Sequence, residues 1–400
     1  MQSSSSDSAA FVWRATLAGA CASLVGIGLA RFAYTPLIPP LIEAGWFSES
    51  DVIYLGAANL AGYLAGAWLG RPAASRLGAI GAIRAMMALA AASFFACAVP
   101  LSLAWFFVWR LLSGIAGGAL MVLAAPAVLP HVPAARRGLA SGGIFTGVGL
   151  GIAASGTLVP LLMRLGLVET WCALGALSTL LTAIAWRWWP RHDAKLDTAP
   201  QASPPQKPHL SPAMKAFYLA YGITGLGLVP HMVFLVDYVA RGLDQGLDIG
   251  ARYWVLFGLG AMMGPVVSGF IADRIGFGAT LRLAFVTQAA AVALMAATAH
   301  PVAMVASSMI VGALMPGLVA VALGRVHELI PDSDQGRRAA WSVTTMSFAL
   351  GQAAAAYLLS FLFARTGNYT LLFVLGMAGF LTSLGIDVFA SRLKCLTPAR

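Results

Sequence analysis

Charge is scarce in this chain. Of its 400 residues, 10% are charged and 59% are hydrophobic, whereas a soluble domain carries about 25% charged residues. A soluble fold of this length needs more polar surface than these residues supply, so a bilayer must solvate most of the chain. The four cysteines, Cys21, Cys97, Cys172 and Cys395, form no CxxC pair. That argues against a disulfide framework and a zinc site. The sequence also lacks HExxH, GxSxG, a Walker loop and paired carboxylates, which argues against a membrane enzyme; no cofactor or metal is expected. Residues 1–10 are Ser-rich without a basic segment. The apolar run that follows is too long for a cleaved signal and reads as a first membrane helix that stays in place. Acidic residues are missing from the depths of the apolar runs: Asp51 and Asp237 fall near predicted outer ends, and Asp387 near an inner one.

What is present is a series of long apolar segments. A spanning helix needs about 20 apolar residues, and twelve candidates qualify. The first six cover 12–38, 52–70, 80–100, 103–128, 139–163 and 170–189. The second six cover 214–236, 253–272, 281–299, 302–325, 340–363 and 369–390. Between the sixth and seventh lies a polar, proline-rich stretch that reads as a cytoplasmic linker. The predicted units are therefore a tail at 1–11, a six-helix bundle at 12–189, a linker at 190–212, a second bundle at 213–390 and a tail at 391–400.

Basic residues set the orientation. With the N-terminus in the cytoplasm, 19 of the 25 Lys and Arg face the cytoplasm, including Arg71, Arg136, Arg191 and Lys195. Only Arg164, Arg241, Arg252 and Arg365 face outward, while Arg31 and Arg110 stay within the membrane. Both termini are then cytoplasmic. The net charge of +10 reflects this bias and does not call for nucleic acid.

The two bundles repeat each other. Gly26-Ile27-Gly28-Leu29 returns as Gly225-Leu226-Gly227-Leu228, a shift of 199. Ala74-Ser75-Arg76-Leu77-Gly78 returns as Ala272-Asp273-Arg274-Ile275-Gly276, a shift of 198. Tyr54 maps onto Tyr253, Gly62 onto Gly260 and Gly66 onto Gly264. Duplicated membrane halves are typical of secondary transporters, which bind substrate between the repeats.

Here the chain resembles the major facilitator superfamily. Gly269-Phe270-Ile271-Ala272-Asp273-Arg274-Ile275-Gly276 is similar to its GxxxDRxG loop motif, and Arg110-Leu111-Leu112-Ser113-Gly114 to the RxxxG motif of its fourth helix. The segment from Gly26 through Arg31, Phe32, Ala33 and Tyr34 to Pro39 resembles the first helix of the poorly characterised YbfB/YjiJ-like branch. The resemblance implies an all-α membrane protein, with twelve transmembrane helices in two pseudo-symmetric six-helix bundles. It also implies a central cavity lined by helices 1, 4, 7 and 10. It implies gating at the loop motif, through Gly269, Asp273, Arg274 and Gly276, with Arg76 at the equivalent turn. Two departures stand out. Ser75 replaces the motif's Asp in the first half, and the fifth helix has no Gly-Pro pair, so antiport gets no support there.

Charged groups inside the spans mark the candidate site, because an Arg at the centre of a helix costs about 2.5–3.5 kcal/mol to insert. Arg31, Arg110 and His231 lie roughly 9–12 Å from the predicted outer ends of helices 1, 4 and 7. Arg suits a carboxylate or phosphate because its planar fork binds bidentately. On helix 1, Leu24, Gly28, Arg31 and Thr35 share a side, with Tyr34 adjacent. Asn59 and Gln352 are further candidates for substrate contact, with helix–helix hydrogen bonding as the plainer role. Glycines at Gly62, Gly66 and Gly70, and at Gly143, Gly147 and Gly151, recur every four residues. They imply tight static packing, or sliding interfaces in a carrier that rocks.

The expectation is an inner-membrane carrier, working as a monomer by alternating access on a small organic anion or acidic amphipathic molecule. A coupling proton or counter-anion is its further partner; simple proton symport is weakened by the missing deep carboxylate. Two alternatives stay open: an efflux carrier for apolar drugs or metabolites, and a sensor with a carrier fold that does not transport.

Overall fold

A computed structural model describes residues 3–133, 136–190, 211–331 and 333–396. Most of the expected linker, Arg191 and Lys195 included, lies outside the described residues. No strand occurs among those that are described. Twelve helices are long and apolar enough to cross a membrane: α1 Ala10–Glu43, α2 Glu49–Leu77, α3 Ala79–Cys97, α4 Leu103–His131, α5 Leu139–Met163 and α6 Leu167–Ala185 in the first half, then α7 Pro212–Gly242, α8 Gly246–Ile275, α9 Phe277–Ala297, α10 Pro301–Leu329, α11 Ala339–Thr366 and α12 Tyr369–Ser391. One end of the bundle carries the starts of α1 and α7; the other is called the far end below.

The duplication is visible in the packing. Within the halves α2 runs along α4 and α8 along α10, while α1 meets α5 and α7 meets α11. The repeated glycines permit the first pair of approaches. A Cβ on Gly62 or Gly66 would overlap the carbonyl oxygens of Leu111 or Ile115, and one on Gly260 or Gly264 those of Met309 or Ala313. At the repeated turn Gly78 and Gly276 have φ of +72° and +83°, a region that side-chain-bearing residues avoid. The halves meet through α5 against α8 and α2 against α11, contacts that exchange under the repeat.

Both glycine stripes pack inside the first half. Gly62, Gly66 and Gly70 face α4, and Gly143, Gly147 and Gly151 face Thr16, Ala20 and Gly28 on α1. The interface between halves uses other glycines. A Cβ on Gly149 would lie 2.8 Å from the Met262 amide nitrogen, and one on Gly156 would lie 2.9 Å from the Ala251 oxygen.

Several helices run past their expected bounds, α2 to Leu77 among them, and two of these overruns shape the site. α1 reaches Glu43, not residue 38, and α7 reaches Gly242, not residue 236. Pro39 and Pro40 look like a stop but sit inside helix, since neighbouring groups in a bundle can satisfy the backbone that proline leaves open. Both helices are also irregular. α1 is π-wound over Leu24–Leu29 and turns before restarting at Tyr34. α7 is π-wound over Pro230–Phe234 and Tyr238–Gly242, starting where Pro230 supplies no N–H. Such turns are frequent at functional sites because they re-aim side chains and expose carbonyls.

Candidate functional site

A small pocket opens beside the break in α1. Its wall includes Arg31, Tyr34 and Thr35 from α1, Asn59 from α2, Arg110 from α4 and Met232 from α7. The re-aimed backbone organises this wall. The carbonyl of Ala30 accepts hydrogen bonds from Arg110 Nη1 and Ser113 Oγ, each at 3.0 Å. Thr35 donates to the carbonyl of Met232 at 2.6 Å, joining α1 to α7 across the halves.

The two arginines are held in different ways. Arg110 is 2% exposed, and its guanidinium lies 4.1 Å from the centre of the Tyr34 ring. Tyr34 is fixed in turn by donating to the Val52 carbonyl at 2.6 Å. Arg31 donates from Nη2 to Gln352 on α11 at 2.8 Å and lies 4.8 Å from the centre of the Tyr63 ring. Gln352 is oriented by a second contact, from Nε2 to the Met232 sulfur at 3.3 Å. Asn59 donates to the Arg110 carbonyl and to Ser113, both at 3.3 Å.

Unused bonding capacity remains. Arg31 Nε, Arg110 Nε and Asn59 Oδ1 are buried with no hydrogen-bond partner. The ion pairs among the described residues are Arg241 with Glu49 and with Asp237, Arg282 with Asp387, and Arg325 with Glu328. Neither pocket arginine has a carboxylate. A buried guanidinium without a counter-charge is costly, and here two of them border one cavity.

His231 stands apart from this group. Fully buried, its ring points into the second half, with Nε2 2.8 Å from Ser307 Oγ on α10 and its edge against Phe373 on α12. Ser307 donates to the Ala291 carbonyl at 2.6 Å, so the Ser–His bond is donated by Nε2. The sequence places His231 level with the arginines; the π turn at Pro230 sets which way it faces.

The loop-motif residues lie far from the pocket. Asp273, Arg274 and Arg76 are exposed, and Arg274 lies 3.8 Å from the centre of the Phe270 ring. Gly276 caps the start of α9, and Gly269 faces open space. Among the described residues Asp273 makes no hydrogen bond or ion pair.

Sequence reasoning set Thr35 on the Arg31 face but missed two contributors. Ser113 and Met232 act through bonds to or from the backbone, which no side-chain pattern announces. It placed Asp237 near the end of α7 but did not foresee that the side chain is 0% exposed and bonded to Tyr369.

Comparison with known proteins agrees with this architecture. Residues 23–388 match the family model described as "Uncharacterised MFS-type transporter YbfB". A curated gallate transporter from Pseudomonas putida is 30% identical over 281 residues, which are 60% of this chain and 61% of the relative's length. The crystal structure of a D-xylose–proton symporter aligns with a TM-score of 0.68 at 17% identity, over 94% of this chain and 97% of its own. A mutant of the nucleoside transporter NupG aligns with a TM-score of 0.73 at 14% identity, over 96% of this chain and 99% of its own.

Proposed function

The chain belongs to the family of YbfB-like MFS-type transporters, and from that premise we propose that its pocket takes a small organic anion, in particular a hydroxylated aromatic carboxylate. It is a secondary transporter of the membrane, not an enzyme. The observation that carries the anion reading is the pair of guanidiniums on one cavity with no carboxylate to neutralise them. A substrate carboxylate supplies the missing charge and uses the free Nε–H groups of Arg31 and Arg110. Tyr34 and Phe32 line the pocket and offer aromatic surface to a ring, and Asn59 Oδ1 accepts from a hydroxyl. The Pseudomonas relative, a gallate transporter, supports the same chemistry.

In this reading the substrate crosses by alternating access, and Arg31 meets it by letting go of Gln352. A proton or a counter-anion is the coupling partner. The proposed carrier is a monomer of the inner membrane; its both-termini-cytoplasmic orientation is supported by the 19-to-four split of Lys and Arg.

The test is calorimetric titration of the purified protein with gallate and with pyrogallol, which is gallate without its carboxyl group. Gallate should bind and pyrogallol should not. Arg31→Ala and Arg110→Lys should each weaken gallate by roughly 10–100-fold, the scale of one charged hydrogen bond. Equal binding of the acid and its neutral analogue would sink the anion reading.

A further inference from the structure

At the far end a second polar cluster joins the halves, and the pocket makes no use of it. Asp237 on α7 is fully buried. Its Oδ2 accepts a hydrogen bond from the Tyr369 hydroxyl on α12 at 2.5 Å. Its Oδ1 has no hydrogen bond, and Arg241 Nε stands 3.4 Å away. The same guanidinium forms an ion pair with Glu49, the first residue of α2 in the other half. Arg241 Nη1 is buried without a partner.

Charge does not balance there. From α1 Glu43, and from α2 Glu49, act on Asp237 through space. On α8 the nearest charged groups in sequence, Asp248 and Arg252, are exposed. From α12 the facing group is the Tyr369 hydroxyl, and on α7 itself it is Arg241. One cation is therefore divided among carboxylates of both halves. With Asp237 ionised, Arg241 is drawn back along its own helix. With Asp237 neutral, the carboxylate contact left to Arg241 among the described residues is Glu49, across the interface.

We propose that Asp237 is the binding site of a coupling proton, and that protonation closes the far end by committing Arg241 to Glu49. This rests on the alternating-access reading but not on the anion. Tyr369 positions the carboxylate; Glu49 is the receiving half of the latch. A proton entering from the far end stabilises the state closed on that side; the direction of net movement is set by the proton gradient.

The test measures the far end directly, with no substrate present. Spin labels are placed at Leu101 and Val302, both exposed and in different halves, after replacement of the native cysteines. The distance between them is followed from about pH 5 to pH 9, across the range where buried carboxylates titrate. The short-distance population should fall as pH rises. Asp237→Asn should hold the short distance at every pH, and Glu49→Gln should lose it at every pH. Tyr369→Phe removes a bond that the ionised carboxylate accepts, so its transition should move to higher pH. This variant keeps the proposal testable if Asp237→Asn fails to fold. A wild-type distribution that ignores pH, an Asp237→Asn protein that still responds, or an unmoved Tyr369→Phe transition would each overturn the proposal. Failure of gallate to bind would leave this result untouched, so the two ideas fall separately.

Discussion

Arg110 and His231 are both lone cation-capable side chains on apolar helices, and their neighbours give them different work. Arg110 lines the pocket, uses one nitrogen on a backbone carbonyl and leaves Nε without a hydrogen-bond partner. His231 is tied to Ser307 and faces away from it. His231→Phe should therefore lower thermal stability, by about 1–3 kcal/mol for a disrupted buried hydrogen bond, while gallate affinity stays within about twofold. Thermal unfolding and titration on one preparation check both halves of that statement. The two arginines were legible in the sequence because a charge in an apolar run is conspicuous. Which way each side chain turns was not, since π winding shifts the phase of a helical face and leaves no residue pattern of its own.

At the scale of the helix, glycine does two jobs that look alike in sequence. Gly62 lets α2 touch α4 inside one half, whereas Gly149 lets α5 touch α8 between halves. Gly62→Ala should reduce folded yield and melting temperature, because the new methyl meets the Leu111 carbonyl and backbone must move. Gly149→Val should spare equilibrium gallate binding and slow exchange across liposome membranes, since it roughens a surface that has to shift. Equal effects of both substitutions on stability would contradict this division. Helix number and middle segments followed from apolar run length, with short connections marking most boundaries. The ends of α1 and α7 did not, because prolines at Pro39 and Pro40 and a charge at Asp237 read as terminators. Their tolerance depends on partners such as Tyr369, distant in sequence.

For the whole molecule, the repeat supplies one scaffold twice and the side chains break its symmetry. Arg31 and Arg110 belong to the first half, His231, Asp237 and Asp273 to the second. In this structure the far end is bridged by Thr35 with Met232 and by Arg241 with Glu49, while Asp273 at the opposite end has no hydrogen bond or ion pair among the described residues. Asp273→Ala should thus favour the state captured here over its opposite, and labels across the terminus-bearing end would show the shift; unchanged populations would remove Asp273 from the gate. The bond between Arg31 and Gln352 has one more consequence. The empty carrier already carries a small internal competitor, an amide that occupies the fork the substrate needs. Every arriving anion must evict it, so apparent affinity is weaker than the two arginines alone would give. The departing anion is replaced by the same amide without waiting for solvent. A site that refills itself trades tight capture for quick release, so Gln352→Ala should bind gallate more tightly and turn over more slowly.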